Sequence, residues 1–275
     1  METTDTMSFV DIHSHLVPGV DDGARDIPSV LHSVGRMTRI SIRRILTTPH
    51  IQGSLTLDPE QLEIRLRDVA EAWERAADVI GEKYPEVEFK AGYEVLLDVP
   101  NADLSDPRIR MAGTSFVLIE WPFLKLPSGT VAILRKIIRC GYRPIVAHPE
   151  RYSGMGQQLE LVSEWRAMGA YLQMNFGSLV GRYGRRAQAM AYRLLRRGWV
   201  DYMASDFHGH PGLKIYKNEA AAALKALGAE EVFNVLCRTN PSMLLMDEPP
   251  LTVPLLPVEK SFWARVRASL NPHLA

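Results

Sequence analysis

The sequence predicts an α/β protein built on a parallel sheet. Short apolar segments alternate with longer amphipathic segments along the chain, and strands that alternate with helices are typical of a parallel sheet. Seven such units follow one another without a break in composition, which indicates one closed or nearly closed barrel. An open doubly wound sheet is the alternative. No glycine-rich phosphate-binding motif follows the first strand, which disfavours dinucleotide binding.

The predicted strands are short apolar segments that each end in polar residues. The first begins at Phe9 and Val10, and the other six are Arg43–Thr48, Glu86–Ala91, Ser115–Ile119, Pro144–Ala147, Tyr171–Met174 and Tyr202–Ala204. The predicted helices are Ile27–Arg39, Asp58 to about Gly81, Thr130–Cys140, Gln157–Met168, Tyr183–Arg197, Lys217–Leu227 and Glu230–Cys237. Asp26 is the predicted N-cap of the first helix, and Pro28 suits its first turn.

The stretch that follows the first strand holds two histidines and two aspartates. His13 and His15 are two residues apart, so on a strand they project from the same face and can bind one metal ion together. A turn then returns Asp21 and Asp22 toward the histidines. The alternative is a hydrogen-bonded histidine pair followed by an ordinary Asp-Gly turn.

Histidines and carboxylates collect at the carboxyl ends of the predicted strands, which share one face in a β/α barrel. The group comprises His13, His15, His50, Glu94, Glu120, His148, Asp206 and His208. Mixed nitrogen and oxygen ligands without thiolate suit Mn²⁺, Fe²⁺ or Zn²⁺. Because these ligands outnumber those of a single tetrahedral zinc, we expect more than one ion. A carboxylate such as Glu94 can bridge two ions.

Six short motifs occur in a characteristic order. They are His13-Ser14-His15, Thr48-Pro49-His50, Gly92-Tyr93-Glu94, Ile119–Pro122, Ala147–Tyr152 and Ser205–His208. This order resembles the PHP superfamily, named after polymerase and histidinol phosphatase. Within it, the stretch Asp11–Ala24 is similar to the manganese-dependent protein-tyrosine phosphatases encoded with bacterial capsule and exopolysaccharide genes, the CpsB/CapC-like type. The likeness runs from about residue 9 to residue 245.

The resemblance implies a distorted (β/α)7 barrel of the PHP type that holds three ions, with Mn²⁺ expected and Fe²⁺ or Zn²⁺ as alternatives. Carried over residue by residue, it places His13, His15, Glu94 and Asp206 on the first ion. Glu94, Glu120 and His148 would hold the second ion, and Asp22, His50 and His208 the third, with Asp22 chosen over Asp21.

The resemblance also implies residues that contact the substrate. Arg151 matches an arginine that binds the substrate phosphate. Family members often carry an arginine a few residues after the last histidine, and here His210 or Lys214 stands in that region instead. Asp206 or His210 is the candidate general acid.

The activity implied is hydrolysis of phosphotyrosine through attack by a metal-bridged hydroxide, in a protein that regulates exopolysaccharide or capsule synthesis. The expected partner is the tyrosine-rich tail of a bacterial tyrosine kinase. One alternative is a histidinol phosphatase or another PHP phosphoesterase, and a second is a non-catalytic metal-binding module in polysaccharide assembly. Thiol-phosphatase chemistry is disfavoured because the residues six positions after Cys140 and Cys237 are Val146 and Met243, not arginine.

Composition gives no indication of a nucleic-acid partner. The 275-residue chain has a formal net charge of zero, and its two cysteines suit a reducing compartment. The N-terminus is polar and acidic, unlike a signal peptide, and no apolar run reaches the ~20 residues that span a bilayer. We therefore expect a cytoplasmic location.

The composition changes after residue 248, which predicts two segments: a phosphatase barrel at 1–248 and a tail at 249–275. The tail begins as a proline-rich linker, and Lys260–Leu270 is a predicted basic amphipathic helix. That helix either packs on the body or docks on a partner or a membrane surface.

Several predicted helices also carry arginines that form either a basic surface for an acidic phosphorylated tail or ordinary solvated faces. These arginines are Arg36, Arg39, Arg182, Arg185, Arg186, Arg193, Arg196 and Arg197.

Overall fold

The computed structural model describes residues 8–257, in which strands and helices alternate along the chain. The strands are β1 (Phe9–Asp11), β2 (Ile42–Thr47), β3 (His50–Gln52), β4 (Glu88–Ala91), β5 (Glu94–Leu96), β6 (Phe116–Glu120), β7 (Arg143–Ala147), β8 (Tyr171–Asn175) and β9 (Tyr202–Ala204). The α-helices are α1 (Ile27–Arg39), α2 (Pro59–Lys83), α3 (Thr130–Arg139), α4 (Leu159–Ala167), α5 (Phe176–Leu179), α6 (Gly184–Leu195), α7 (Lys217–Lys225), α8 (Glu230–Asn234) and α9 (Asn240–Leu245).

The predicted α/β architecture with parallel strands is confirmed, but a closed barrel is not. Within residues 8–257 the strands form two parallel sheets, with orders β1-β2-β4 and β3-β5-β6-β7-β8-β9. Each predicted strand is present, with boundaries that differ by at most two residues where the prediction stated them.

Two strands that the sequence did not predict, β3 and β5, continue β2 and β4 after a short break. Pro49 interrupts the first pair, since proline has no N–H to donate to a neighbouring strand. Gly92 interrupts the second pair, where a Cβ atom would lie 2.8 Å from the Cα of Met111. These breaks split the hydrogen bonding into two sheets and turn the ends of the strands toward a common region.

The two sheets are also joined where the chain leaves β1 and β9. Ser14 forms an isolated parallel bridge with Phe207, the His15 amide donates to the Phe207 carbonyl (2.9 Å), and the Asp206 amide donates to the His13 carbonyl (2.8 Å). Just before this point, the buried carboxylate of Asp11 accepts hydrogen bonds from the amide and hydroxyl of Ser205. The first and last strand ends are therefore fixed side by side.

The helices pack their apolar faces against these strands. In α1, Val30, Val34 and Met37 are buried, and Asp26 caps the helix through a reciprocal hydrogen-bonded pair with Ser29, as predicted. Among residues 8–257, no helix is both long and apolar enough to cross a membrane.

The last predicted helix, Glu230–Cys237, is longer than expected. It continues from α8 through a π-helical turn at Val235–Thr239 into α9. Within α9, the buried side chain of Asn240 donates to the carbonyls of Asp201 and Leu251 and accepts from the Leu251 amide. The start of the proline-rich segment is thereby held against the body, and the predicted helix Lys260–Leu270 lies outside the described residues.

We expect Asp11→Ala to lower the free energy of unfolding by about 2–3 kcal/mol, because the Ser205 amide would be buried without its acceptor and the Ser205 hydroxyl would keep only its contact with the His13 carbonyl (3.3 Å). Asp26→Ala removes an exposed helix cap and serves as the control, with an expected cost of about 1 kcal/mol. Urea unfolding of chelator-treated protein measures both values without a contribution from bound ions. If Asp11→Ala were no less stable than Asp26→Ala, the role of Asp11 at this junction would be contradicted.

Candidate metal centre

All nine predicted ligands meet on one face of the sheets, at or just beyond the carboxyl ends of strands or in the loop after β1. Each of them has a nitrogen–oxygen distance of 3.6 Å or less to another member of the group. The nine are His13, His15, Asp22, His50, Glu94, Glu120, His148, Asp206 and His208. Strand ends separated by almost 200 residues in the chain therefore contribute to one cluster.

The ligand atoms form three overlapping groups, each close enough to hold a metal ion. The groups are His15, Asp22, His50 and His208; His13, His15 and Glu94; and His50, Glu94 and Glu120. His148 adjoins the last group, with its Nε2 3.1 Å from Glu94 and 3.6 Å from Glu120. The Asp206 carboxylate lies 3.5 Å from the Nε2 atoms of both His13 and His15.

The centre of the cluster consists of hydrogen-bond acceptors that face one another. His13 Nδ1 donates to the Gln173 side-chain oxygen, and His15 Nδ1 donates to Asp21, both at 2.8 Å. In the neutral rings, each Nε2 then carries a lone pair, and the two Nε2 atoms lie 3.3 Å apart. Both also face Glu94 Oε2, a buried oxygen that has no hydrogen bond within residues 8–257. Such a set is satisfied only by protons or by metal cations.

The electrostatics of the cluster favour bound cations. Burial opposes protonation of His13, but the carboxylates of Glu94 and Asp206 outweigh it and raise the His13 pKa to about 9. Burial also raises the pKa of Glu120 to about 8, with the neighbouring Glu94 charge acting in the same direction. The histidines hold the pKa of Glu94 well below its usual range despite burial. Divalent ions would replace these protons, which is the usual linkage between metal binding and pH.

The two neighbouring aspartates have different surroundings. Asp21 is turned inward, where it accepts from His15 Nδ1 and from the backbone amides of Gly23 and His50. Asp22 is exposed, with its carboxylate 3.5 Å from the Nε2 atoms of both His50 and His208. The turn requires glycine at position 23, because a Cβ there would lie 2.2 Å from the His15 carbonyl oxygen. Asp21 thus orients a histidine, while Asp22 faces the open side.

Two residues of β8 that were not predicted support the cluster from behind. The side-chain oxygen of Gln173 accepts from His13, and its side-chain nitrogen donates to the side-chain oxygen of Asn175. The side-chain nitrogen of Asn175 in turn donates to Asp206 at 2.8 Å. Hydrogen-bonding partners of this kind fix the orientation of metal ligands and tune their basicity. The sequence holds one indication of them, because two polar residues alternate with buried apolar ones along this strand.

Two of the ligand positions have an unusual backbone conformation. His148 and Asp206 both follow a strand and have φ values of 34° and 51°, in the left-handed region that residues other than glycine rarely adopt. Such strain persists where the surrounding structure over-determines it and is concentrated at functional sites. Here it turns the two side chains back over the strand ends and into the cluster.

The predicted substrate-contacting residues do not all lie at the cluster. Arg151 donates to Asp206 at 2.7 Å, and its guanidinium group lies over the ring of Tyr183, 4.4 Å from the ring centroid. His210 contacts the Asp22 carbonyl at 3.1 Å, on the open side. Lys214 instead lies 3.9 Å from Glu219 and lines a separate cavity beside α1 and α7.

Residues 9–246 match the family model described as capsular polysaccharide synthesis, CpsB/CapC. The chain belongs to the CpsB/CapC family. The tyrosine-protein phosphatase YwqE of Bacillus subtilis strain 168 is 27% identical over 253 residues, which cover 92% of this chain and 97% of YwqE. The tyrosine-protein phosphatase CpsB of Streptococcus pneumoniae is 26% identical over 248 residues, which cover 87% of this chain and 99% of CpsB.

Solved structures agree with this membership. A structure reported among those of YwqE and CpsB as unique metal-dependent tyrosine phosphatases superposes with a TM-score of 0.77 at 26% identity, covering 91% of this chain and 100% of that chain. The phosphotriesterase homology protein of Escherichia coli is similar in fold alone, with a TM-score of 0.53 at 13% identity over 87% of this chain and 99% of that one. The resemblance to capsule-associated phosphatases is thereby confirmed.

We expect Mn²⁺ to raise the melting temperature of chelator-treated protein by about 5 °C or more at roughly one hundred times its dissociation constant, because a cation that binds only the folded state stabilises it. His13→Ala should lose most of this shift. His32→Ala changes an exposed helical histidine and should retain the full shift. Differential scanning calorimetry measures the shift in melting temperature. The absence of a shift with Mn²⁺, Fe²⁺ and Zn²⁺ would contradict a metal centre.

We expect Gln173→Ala to weaken metal binding by about 10–100-fold, because His13 would lose the acceptor that fixes its ring. Gln52→Ala alters an exposed glutamine of β3 and should bind metal like the wild type. Isothermal titration calorimetry with Mn²⁺ gives the affinities of both variants. Equal affinities for the two variants would show that Gln173 does not support the ligand.

Proposed function

We propose that the protein is a manganese-dependent protein-tyrosine phosphatase. The observation that carries the proposal is the buried set of inward-facing acceptors on one face of the sheets, with the guanidinium group of Arg151 beside Asp206. Similarity to the tyrosine-protein phosphatases YwqE and CpsB over nearly their whole lengths supports the substrate class.

The proposed cofactor is a set of three ions, held by the ligands that the resemblance implies. His13, His15, Glu94 and Asp206 would hold the first, Glu94, Glu120 and His148 the second, and Asp22, His50 and His208 the third. The proposed scaffold is a distorted (β/α)7 barrel of the PHP type. Two observations support seven units: β3 and β5 continue β2 and β4, and the Ser14–Phe207 bridge brings the first and last strands together.

Divalent ions supply a nucleophilic water at neutral pH and neutralise charge on phosphoryl oxygens. The chain itself supplies orientation and a further positive charge. Arg151 is fixed between Asp206 and the Tyr183 ring, and its planar group can bind two phosphoryl oxygens at once. Tyrosinate is a moderate leaving group, since the pKa of its acid is ~10, so strong general-acid assistance is not required. His210, whose Nε2 lies 3.1 Å from the Asp22 carbonyl on the open side, is the proposed second substrate contact, and Asp206 is proposed primarily as a metal ligand.

The proposed biological setting is regulation of capsule or exopolysaccharide synthesis in the cytoplasm, with the tail of a bacterial tyrosine kinase as the substrate. Residues 1–248 would be the phosphatase barrel, and residues 249–275 a linker with a basic tail that either packs on the body or docks on a partner or a membrane surface. The family match over residues 9–246 supports the first boundary. The alternatives of a histidinol phosphatase and a non-catalytic module are not favoured, because the full-length relatives are named tyrosine-protein phosphatases.

The test is an assay of Mn²⁺-reconstituted protein on p-nitrophenyl phosphate, a phosphotyrosine peptide, a phosphoserine peptide and histidinol phosphate. We expect turnover of the two aryl esters, and a fall in kcat/KM of about 10²-fold or more in Arg151→Ala because a charge that stabilises the transition state is removed. Arg139→Ala, at the exposed end of α3, is the control and should retain activity.

The outcomes of this assay separate the candidate functions. A preference for histidinol phosphate would keep the metal centre and change the substrate. Stoichiometric metal without turnover of any ester would contradict the phosphatase proposal and favour the binding module.

A further inference from the structure

A groove opens beside the metal centre on the side of Arg151. It encloses about 610 Å³ between the segment that follows β7 and one face of α6. Its lining includes Glu150, Arg151, Tyr183, Arg186, Met190 and Arg193. Because Arg151 also contacts Asp206 of the cluster, the groove begins where the proposed phosphate site ends.

The accessible charges of this groove are positive. Arg186 and Arg193 are seven residues apart on α6, so they lie on the same helix face, about 10.5 Å apart along the axis. Ala187 and Ala189 lie between them in the lining, and their small side chains leave room above the helix.

The carboxylate of Glu150 does not offset this positive charge at the open surface. Its side chain is buried and turned inward, where it accepts from the hydroxyl of Ser178 (2.5 Å) and from the backbone amide of Asn175 (3.0 Å). Among residues 8–257, no other acidic residue lines this groove. Within the described part of the chain, Arg151 is paired with Asp206, whereas Arg186 and Arg193 have no carboxylate partner. Arg193 donates only to the Gly156 carbonyl (3.2 Å), so a ligand in the groove meets two arginines whose charges are not paired.

We propose that this groove binds acidic side chains that flank the phosphotyrosine of a protein substrate, with Arg186 and Arg193 as the specificity-determining residues. The proposal rests on the phosphatase function proposed above. An extended peptide advances about 3.3 Å per residue, so the separation of the two arginines matches carboxylates about three residues apart. Guanidinium groups bind carboxylates in a two-pronged geometry, and complementary charge of this kind selects among partners.

The test uses two labelled nonapeptides with a central phosphotyrosine. One has aspartate or glutamate at the flanking positions, and the other has asparagine or glutamine there. For the Mn²⁺-loaded wild type, we expect kcat/KM to favour the acidic peptide by about five- to tenfold at low salt, and less at high salt. In the double variant Arg186→Gln/Arg193→Gln, the ratio of kcat/KM for the acidic peptide to that for p-nitrophenyl phosphate should fall by a similar factor.

Arg185→Gln is the matched control, since Arg185 is exposed on the same helix and does not line the groove. It should preserve the preference for the acidic peptide. Equal preference in the wild type and the double variant, or an equal loss in Arg185→Gln, would overturn the inference, because the effect would then be absent or due to net charge alone.

Binding of the same peptides, measured by fluorescence anisotropy, separates this inference from the proposed function. Equal dissociation constants for the two peptides, with p-nitrophenyl phosphate still hydrolysed, would overturn the groove and leave the phosphatase. Tighter binding of the acidic peptide that is lost in the double variant, without turnover of any ester, would support the groove and overturn the phosphatase.

Discussion

The architecture of this protein depends on burying acceptor atoms that repel one another. The Nε2 atoms of His13 and His15 lie 3.3 Å apart, and the carboxylates of Glu94 and Asp206 lie within 3.5 Å of them. Carboxylates buried in this way are costly unless protons or cations compensate their charge. The parallel sheets create the problem, because they direct strand ends from the whole chain to one face. On the proposed function, the same cations would serve stability and chemistry, and the residues that keep the acceptors together would serve both.

The sequence was sufficient to predict where the candidate ligands lie, because the rule that parallel strands share a carboxyl face needs only strand positions. Glu120 ends β6 and His148 follows β7, whereas His50 and Glu94 begin β3 and β5 just beyond the ends of β2 and β4. The structure brings all four to one place. The strand alternation that predicted His13 and His15 on the same face also held, although β1 ends at Asp11 and both histidines lie beyond it. The Nε2 atoms of the two rings lie 3.3 Å apart, and the bridge from Ser14 to Phe207 fixes the backbone between them.

What the sequence did not predict involves contacts between distant segments. Gln173 orients His13 across 160 positions of the chain, and Asp11 fixes Ser205 across 194. Local patterns do not encode such pairs, because each partner alone is an ordinary buried polar residue on a strand or just beyond one. The breaks at Pro49 and Gly92 were visible, yet the strands beyond them were too short to show a period. Lys214 was placed near the substrate by its position after the last histidine, but the chain turns there and carries it toward α7.

The centre alone does not determine the substrate, since one fold supports many reactions and specificity resides in the residues around the reacting group. Arg151 is the residue that connects the candidate metal centre with the residues around it. One of its faces lies on Tyr183, and one of its nitrogens donates to Asp206, which also accepts from Asn175. On the proposed function, a cation that shares the charge of Asp206 would weaken the attraction of this carboxylate for Arg151 and leave the guanidinium group better able to bind a phosphoryl oxygen. Metal loading and phosphate recognition would then be coupled through Asp206, whose side chain accepts from both Arg151 and Asn175.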